Sequence, residues 1–577
     1  MKQDNSRLKI AIIGGGPAAM FVYKNLIESG LDNPEIHIFE SQKQLGVGMP
    51  YGLSGANSEH VTNVSANEIP DLVQPMSEWI HTVAKETLTQ YDIDPERFNE
   101  YRVLPRLLFG EYLFEQFEAL LKIGDQKGIK TKLHLDTTII DIIDKPSIPE
   151  VLIETSIKKT IRFDRAIICM GHTWPLKNEG KINGYYDSPY PPAKLARSFN
   201  HPVALKGASL TAIDAIRTIA RNNGRFVIED NKVTKFVVDE HAPDFKLMLH
   251  SIDGLLPAIR FHLEDSHLSS DSLLTDEEIT AHRNENDGFL SLDFIFEKDF
   301  KEPLAERDSA LYDRIKDMSM EEFVDLVMNI RESIDPFELF KAEYVEAARS
   351  IRKQESVHWK ELLSILSFAM NYPAKYFSAE DMGRLTKTLK PLISIVIAFV
   401  PQSSSEELIA LHDAGKLSII AVDRESTVEP ADEGGATYTY KDVNGVERKD
   451  HYQTFIDCVG QQPVPFKKFP FRSMLKDGVI SEATVRFRSS EAAEKMLEDG
   501  NKNVKKSGDE YSLVLPGVKI NDNFQVIGKN GEVNERIYLM SVPYIGGYNP
   551  DYSGLDFCEE ASGRIAENLF KEFKAAF

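Results

Sequence analysis

The chain has 577 residues, 42% hydrophobic and 10% aromatic, so at roughly 100–200 residues per domain it holds two to four domains with sizeable cores. Its 67 Lys and Arg stand against 90 Asp and Glu, a formal charge of −23 that repels phosphate backbones and anionic lipid where no basic patch offsets it. Three cysteines, Cys169, Cys458 and Cys558, none in a C-x-x-C pair, exclude a disulfide framework and dithiol redox chemistry and point to a reducing compartment.

Residues 1–8 are polar, and the apolar run that follows breaks at once into glycines, so no signal-peptide core is read. The most apolar stretch elsewhere, residues 392–400, lies between Pro391 and Pro401 and is about half the ~20 residues of a membrane span. The expectations are a cytoplasmic protein with a small-molecule substrate, without nucleic-acid or membrane partners and without a metal.

Residues 8–13, Leu-Lys-Ile-Ala-Ile-Ile, suit a buried parallel strand. They run directly into Gly14-Gly15-Gly16-Pro17-Ala18-Ala19. A helical pattern follows, with Met20, Val22, Tyr23, Leu26 and Ile27 on one side and Gly30 placed to end it. Residues 36–39 read as a second strand closing on Glu40. In this G-x-G-x-x-A spacing Gly14 permits the tight turn, Gly16 lets the backbone approach a pyrophosphate, and Ala19 lets helix and strand pack closely. The pyrophosphate would sit on the helix N-terminus, contributed by Pro17 and Ala18, where N–H groups and the dipole favour anions. Glu40 stands where an acid takes ribose hydroxyls, and an acid there favours an unphosphorylated ribose, hence FAD or NAD.

Three further motifs come in order: Gly46-Val-Gly48-Met-Pro50-Tyr51-Gly52, His60-Val-Thr-Asn63, and Pro105-Arg106 followed by Gly110 and Tyr112-Leu113. With the opening turn they resemble bacterial FAD/NAD(P)-binding flavoproteins, the two-domain flavin-dependent oxidoreductases and monooxygenases. The resemblance implies that Gly48, Tyr51 and Asn63 line FAD and that Arg106 contacts the flavin or a phosphate.

Residues 151–154 and 160–163 look like two edges of a meander, leading into a strand that ends in Cys169-Met-Gly171, with His172 and Trp174 just beyond. The same ending recurs at Cys458-Val-Gly460, after a hairpin around Asn444-Gly445, a dipeptide favoured in two-residue type I′ turns. Cysteine in the small position of both copies reads as packing rather than a reactive thiol. His172 and Trp174 either approach an active site or are an ordinary loop histidine and a packed ring. Gly171 is expected beneath the flavin.

Residues 202–215 repeat the strand-turn-helix logic, with Gly207, Ser209 and Leu210 as the turn and Ser209 in place of the middle glycine. This segment either binds NAD(P)H or is a scaffold that has lost the site. Ile252 and Asp253 occupy the place where related proteins carry an arginine for a 2′-phosphate, which weakens the case for NADP. From about 265 to 390 the composition turns helical and charged, with capping-box-like starts at Thr275, Ser319 and Ser378. This insertion is a lid or substrate-shaping element, or equally an oligomerisation or stabilising subdomain. Alternation resumes with a helix over 405–414 and a strand over 417–421. A last strand over 536–540 is followed by a helical run to the terminus; the resemblance to two-domain flavoenzymes implies that both rejoin the first domain and that the helix end at Gly554 and Leu555 faces the isoalloxazine, the alternative being an ordinary Gly-rich turn.

The fold class expected is therefore α/β, two Rossmann-like dinucleotide-binding domains with a helical insertion. Residues 1–180 form the first part of an FAD-binding domain, 181–430 an NAD(P)-binding-like domain, and 431–577 the return to the first. The function expected is an FAD-dependent oxidoreductase, an NAD(P)H-dependent monooxygenase acting on a small metabolite. The alternatives are a flavin dehydrogenase or reductase with a non-oxygen acceptor, and a non-catalytic FAD-binding protein.

Overall fold

The computed structural model describes residues 7–172, 174–252, 254–264, 273–371, 373–550 and 554–575. Two separate parallel sheets carry the architecture. In the first, six strands run in the order Gln525–Ile527, Val533–Leu539, Arg165–Ile168, Lys9–Ile13, Glu35–Phe39, Lys130–His134. All pair in parallel except Gln525–Ile527. Ile10, Ile12, Ile36, Ile38, Ala166 and Ile167 are fully buried, as expected of strands covered on both faces. Glu150–Thr155 and Thr160–Phe163 form the meander read in the sequence, joined by a third strand, Ile139–Lys145.

The second sheet has five parallel strands in the order Tyr185–Tyr186, Thr454–Asp457, Pro202–Lys206, Lys246–Ile252, Leu417–Val422. Thr454–Asp457 is an interior strand, bonded to Tyr185–Tyr186 on one edge and to Pro202–Lys206 on the other. The second domain therefore continues past the expected boundary at 430, and the chain returns to the first only after this strand. The hairpin feeding the strand also differs from the expected type I′ turn. Only Gly445 adopts a left-handed φ, +72°, and the Asp442 carboxylate accepts from the Asn444 and Val446 amides at 2.9 and 3.0 Å. That side chain holds a longer, bulged loop in place of a two-residue turn.

The helical insertion begins at the helix Asp276–Glu285 and runs to the helix Lys390–Val396. Thr275 and Ser319 form reciprocal capping boxes with Glu278 and Glu322, whereas Ser378 accepts only from the Asp381 amide. The insertion leaves the second domain in sequence but shares its core with the first: Leu292, Phe296, Phe300, Leu362, Leu366 and Leu389 belong to the same buried cluster as Ile10 and Ile167. One helix, Pro336–Lys353, instead sends Phe337 and Phe340 into the core of the second domain. A three-stranded antiparallel sheet, Glu482–Arg486, Val504–Ser507 and Glu510–Val518, was not expected from the sequence. Among the described residues no helix is long and apolar enough to cross a membrane.

Candidate functional site

The two strand-turn-helix units are built alike. Gly14 has φ +101°, and a Cβ there would lie 2.8 Å from the Cys169 carbonyl oxygen. Gly207 has φ +99°, and its Cβ would lie 3.1 Å from the Cys458 carbonyl oxygen. Each turn thus bends over the small-x-Gly ending of the adjacent strand, and only glycine fits both the dihedral and the space. Gly16 and Ser209, the N-cap residues, share nearly one backbone conformation (φ −79°, ψ −166° and φ −85°, ψ −170°). Since neither needs a left-handed φ, serine is accommodated at the second position without strain. No side chain caps either helix, Pro17–Glu28 or Leu210–Arg221. Their first-turn N–H groups, including those of Ala18 and Leu210, therefore face outward as an anion-binding end.

Around the first turn, Glu40 closes its strand and its Oε2 accepts from the Gly15 amide at 2.7 Å, while Oε1 accepts from the Gln42 amide at 2.8 Å. The carboxylate keeps lone pairs for ribose hydroxyls. Loop 46–52 crosses the turn: the Gly46 amide donates to the Gly15 carbonyl at 2.7 Å, and a Cβ on Gly16 would meet the Gly48 Cα at 3.3 Å. Tyr51 packs edge-on against Phe109, with ring centroids 4.8 Å apart. Gly171 follows the strand Arg165–Ile168 at the same sheet edge, exposed and open around its Cα.

Gly554 and Leu555 start the helix Leu555–Ala575. Asn25 donates to Glu559 and Ser562, and Gly30 lies beside Phe570, so this helix runs parallel to Pro17–Glu28. Both N-termini thus lie at the carboxyl ends of the strands, where ligands of such sheets bind. The same edge holds buried polar atoms with no partner: His172 Nδ1, Trp174 Nε1, and both side-chain ends of Asn549, a residue only 3% exposed. Burial pushes the His172 imidazole down, toward its neutral form. Buried polar atoms of this kind call for a bound partner, and with the glycine cradle they fit a dinucleotide cofactor.

The Arg106 guanidinium donates to the Asp214 carboxylate at 2.5 Å and to the Val61 carbonyl at 2.9 Å, so it ties the first domain to the helix Leu210–Arg221. Asn63 lies in the strand Val61–Ser65, and its carbonyl accepts from the buried Arg260. His60 is fully buried, its Nε2 beside the Asp214 carbonyl and the Thr218 hydroxyl at 3.1 and 3.0 Å. The His-x-x-Asn step is therefore a domain contact.

Residues 11–173 match a family model described as FAD-NAD(P)-binding. Residues 275–397 match a second model, the YdhS-like middle domain, which coincides with the helical insertion. Across 570 residues the chain is 24% identical to the uncharacterized protein YdhS of Escherichia coli (strain K12), covering 98% of this chain and 97% of the relative. Among solved structures, the ornithine N-hydroxylase of Kutzneria sp. 744 is 10% identical with a TM-score of 0.49, over 99% of this chain and all of that one. The bacillithiol disulfide reductase YpdA of Staphylococcus aureus is 10% identical with a TM-score of 0.41, over 98% and 99%.

Sequence reasoning missed the residues that link the two domains. Tyr190 donates to Asp214 at 2.8 Å and packs at a tilt against Trp174, ring centroids 5.1 Å apart, and Trp174 lies 5.8 Å from His172. A chain of side chains thus runs from the second nucleotide helix to the edge of the first sheet. No local pattern marks Tyr190 or Asp214. At the second site Ile252 ends its strand 48% exposed, where a charged group would meet a ribose; Asp253 lies outside the described residues. His250 is a core histidine, stacked on Tyr438 at 4.1 Å and pushed down to about 4 by burial.

Proposed function

We propose that this chain is an FAD-dependent oxidoreductase in which FAD occupies the first turn, NAD(P)H the second, and a small metabolite the crevice between them. Bound FAD supplies the redox chemistry, taking electrons from the nicotinamide and delivering them to dioxygen for hydroxylation. The observation that carries this reading is the continuous path Asp214–Tyr190–Trp174–His172, which joins the two matched glycine turns through one domain contact. Gly14, Gly16, Pro17 and Ala18 hold the FAD pyrophosphate, Glu40 its ribose, and Gly48, Tyr51 and Gly171 the neighbouring surface. Gly554 and Leu555 present a helix dipole to the isoalloxazine. Gly207, Ser209 and Leu210 hold the nicotinamide dinucleotide, with the Ser209 hydroxyl free of any cap bond to donate to a phosphate.

His172, neutral and unpartnered at Nδ1, and Asn549 are the groups that orient a polar substrate. With Cys169 and Cys458 buried and no C-x-x-C pair, a protein-dithiol relay is disfavoured, which supports oxygen over a disulfide as acceptor. A reducing, cytoplasmic setting suits those free thiols.

The deciding measurement is an absorption spectrum of purified protein, then anaerobic titration with NADH and with NADPH. Flavin bands that bleach with either nucleotide and return on admitting air support the assignment. A colourless protein that stays colourless after reconstitution with FAD overturns it, and a reduced flavin that air leaves reduced moves it to a reductase with another acceptor.

A further inference from the structure

A second cavity lies away from both glycine turns, between the middle domain and the small antiparallel sheet. It has a volume of about 500 Å³, in the range of small-molecule sites. Its walls include Arg283, Lys375, Arg486 and Lys519, with Asp522 the carboxylate among the lining residues. Four cations against one acid is an inversion of the chain's overall −23.

Three of the four cations are held in position without a carboxylate partner among the described residues. Arg283 lies 3.4 Å over the Tyr376 ring and Arg486 4.8 Å over Phe289, contacts that fix a guanidinium plane while leaving its charge unspent. Lys375 is nearly inaccessible and its ammonium lies 2.7 Å from Asp522. Asp522 is itself engaged by the Tyr376 hydroxyl at 2.6 Å. Among the described residues Arg283, Arg486 and Lys519 have no carboxylate partner. Burial, with Arg283 and Arg564 adding repulsion against the pull of Asp522, pushes Lys375 down to about 8.

Several fixed positive groups around a concave space, with aromatic rings on the wall, attract and orient anions. We propose that this cavity binds a small polyanion, a phosphate- or polycarboxylate-bearing metabolite, which bridges the middle domain to the small sheet of the first domain. The walls come from both sides of that junction: Arg283, Phe289, Lys375 and Tyr376 from the insertion, Arg486 and Lys519 from the sheet and the segment just after it. Ligand binding therefore ties the two together and stabilises the folded chain by mass action.

The test uses FAD-loaded protein at low salt, thermally unfolded with millimolar pyrophosphate, with citrate, and with sodium chloride at matched ionic strength. The expected result is a midpoint raised by pyrophosphate or citrate over chloride, whichever is larger naming the phosphate or the carboxylate source. In the Arg486→Ala/Lys519→Ala variant the affinity of that anion, measured by calorimetry, falls about tenfold or more while flavin content is unchanged. Should the double variant not fold, Lys519→Gln alone, at a half-buried position without an ion pair, is expected to lower the affinity by a smaller factor. No shift beyond chloride from either anion, or wild-type affinity in the folded variant, overturns the proposal. Neither variant touches the glycine turns, so loss of anion binding with retained flavin reduction separates this site from the dinucleotide sites.

Discussion

The Asp214 carboxylate, in the first turns of the helix Leu210–Arg221, accepts from the Arg106 guanidinium of the first domain at 2.5 Å, with the two side chains 7% and 13% exposed. Burial works against the charged guanidinium, but Asp214 outweighs it and holds Arg106 above its ordinary range, fully protonated. Tyr190 shares the same carboxylate oxygen. Removing the acid alone strands a buried cation, and breaking such a pair costs about 3–5 kcal/mol. Asp214→Asn should therefore lower the denaturant midpoint sharply, whereas Arg106→Met/Asp214→Leu, which removes both charges, should lose much less. Equal losses in the two variants would show that the charge pair itself contributes nothing.

The twin glycines separate the two nucleotide sites. At φ near +100° an alanine pays about 1–2 kcal/mol for the dihedral alone, and the Cβ of Gly14→Ala also meets the Cys169 carbonyl at 2.8 Å. Gly14→Ala should be purified with little or no flavin, read as the ratio of 450 nm to 280 nm absorbance. Gly207→Ala should keep its flavin, because the turn it disturbs lies on the other sheet, yet be reduced by nicotinamide at a much higher nucleotide concentration. Flavin loss from Gly207→Ala to the level of Gly14→Ala would remove the division of labour.

Both turns were legible in the sequence because every signal in them is local. A glycine at the bend, a proline or serine at the helix start and an apolar strand before it lie within a dozen residues. The caps at Thr275 and Ser319 were legible for the same reason. The ion pair of Arg106 was not legible because its partner is 108 positions away and nothing near Pro105 announces an acid. The strand Thr454–Asp457 was given to the wrong domain because both sheets use the same apolar strand ending in Cys-x-Gly. The sheet formed by Glu482–Arg486, Val504–Ser507 and Glu510–Val518 escaped notice since Val504–Ser507 is mostly exposed, Lys-bearing and without an apolar alternation.

The two buried cysteines, Cys169 and Cys458, are expected to be inert. Burial pushes the thiols of Cys169 and Cys458 far above the usual range, and a thiol that stays protonated neither attacks disulfides nor binds metal. In a Cys558→Ser background, native protein should resist a thiol-specific chromogenic reagent over hours and react fully once denatured. Cys169→Ala and Cys458→Ala should each retain nicotinamide-driven flavin reduction, with only the loss in stability due to a small cavity. Rapid labelling of either residue in the folded protein would restore thiol chemistry as a reading of the site.

Asp299 gives the middle domain a pH dependence of its own. The side chain is 2% exposed and its Oδ2 has no hydrogen-bond partner. Burial, reinforced by Glu278 and Glu302 and opposed by the Leu274 backbone, pushes the carboxyl up to about 7 from 3.8. Between those values the folded chain keeps a proton that the unfolded chain has released. The folded state then binds more protons, so stability falls as pH rises from about 4 to about 7 and changes no further above that. Asp299→Asn removes the ionisable group while keeping its shape. The variant should melt a few degrees above wild type at pH 8, and the difference should shrink as pH is lowered toward 5, where the wild-type carboxyl is neutral in the fold. Thermal unfolding of both proteins across that range decides it, and an offset between them that does not vary with pH would mean that Asp299 is not the group titrating.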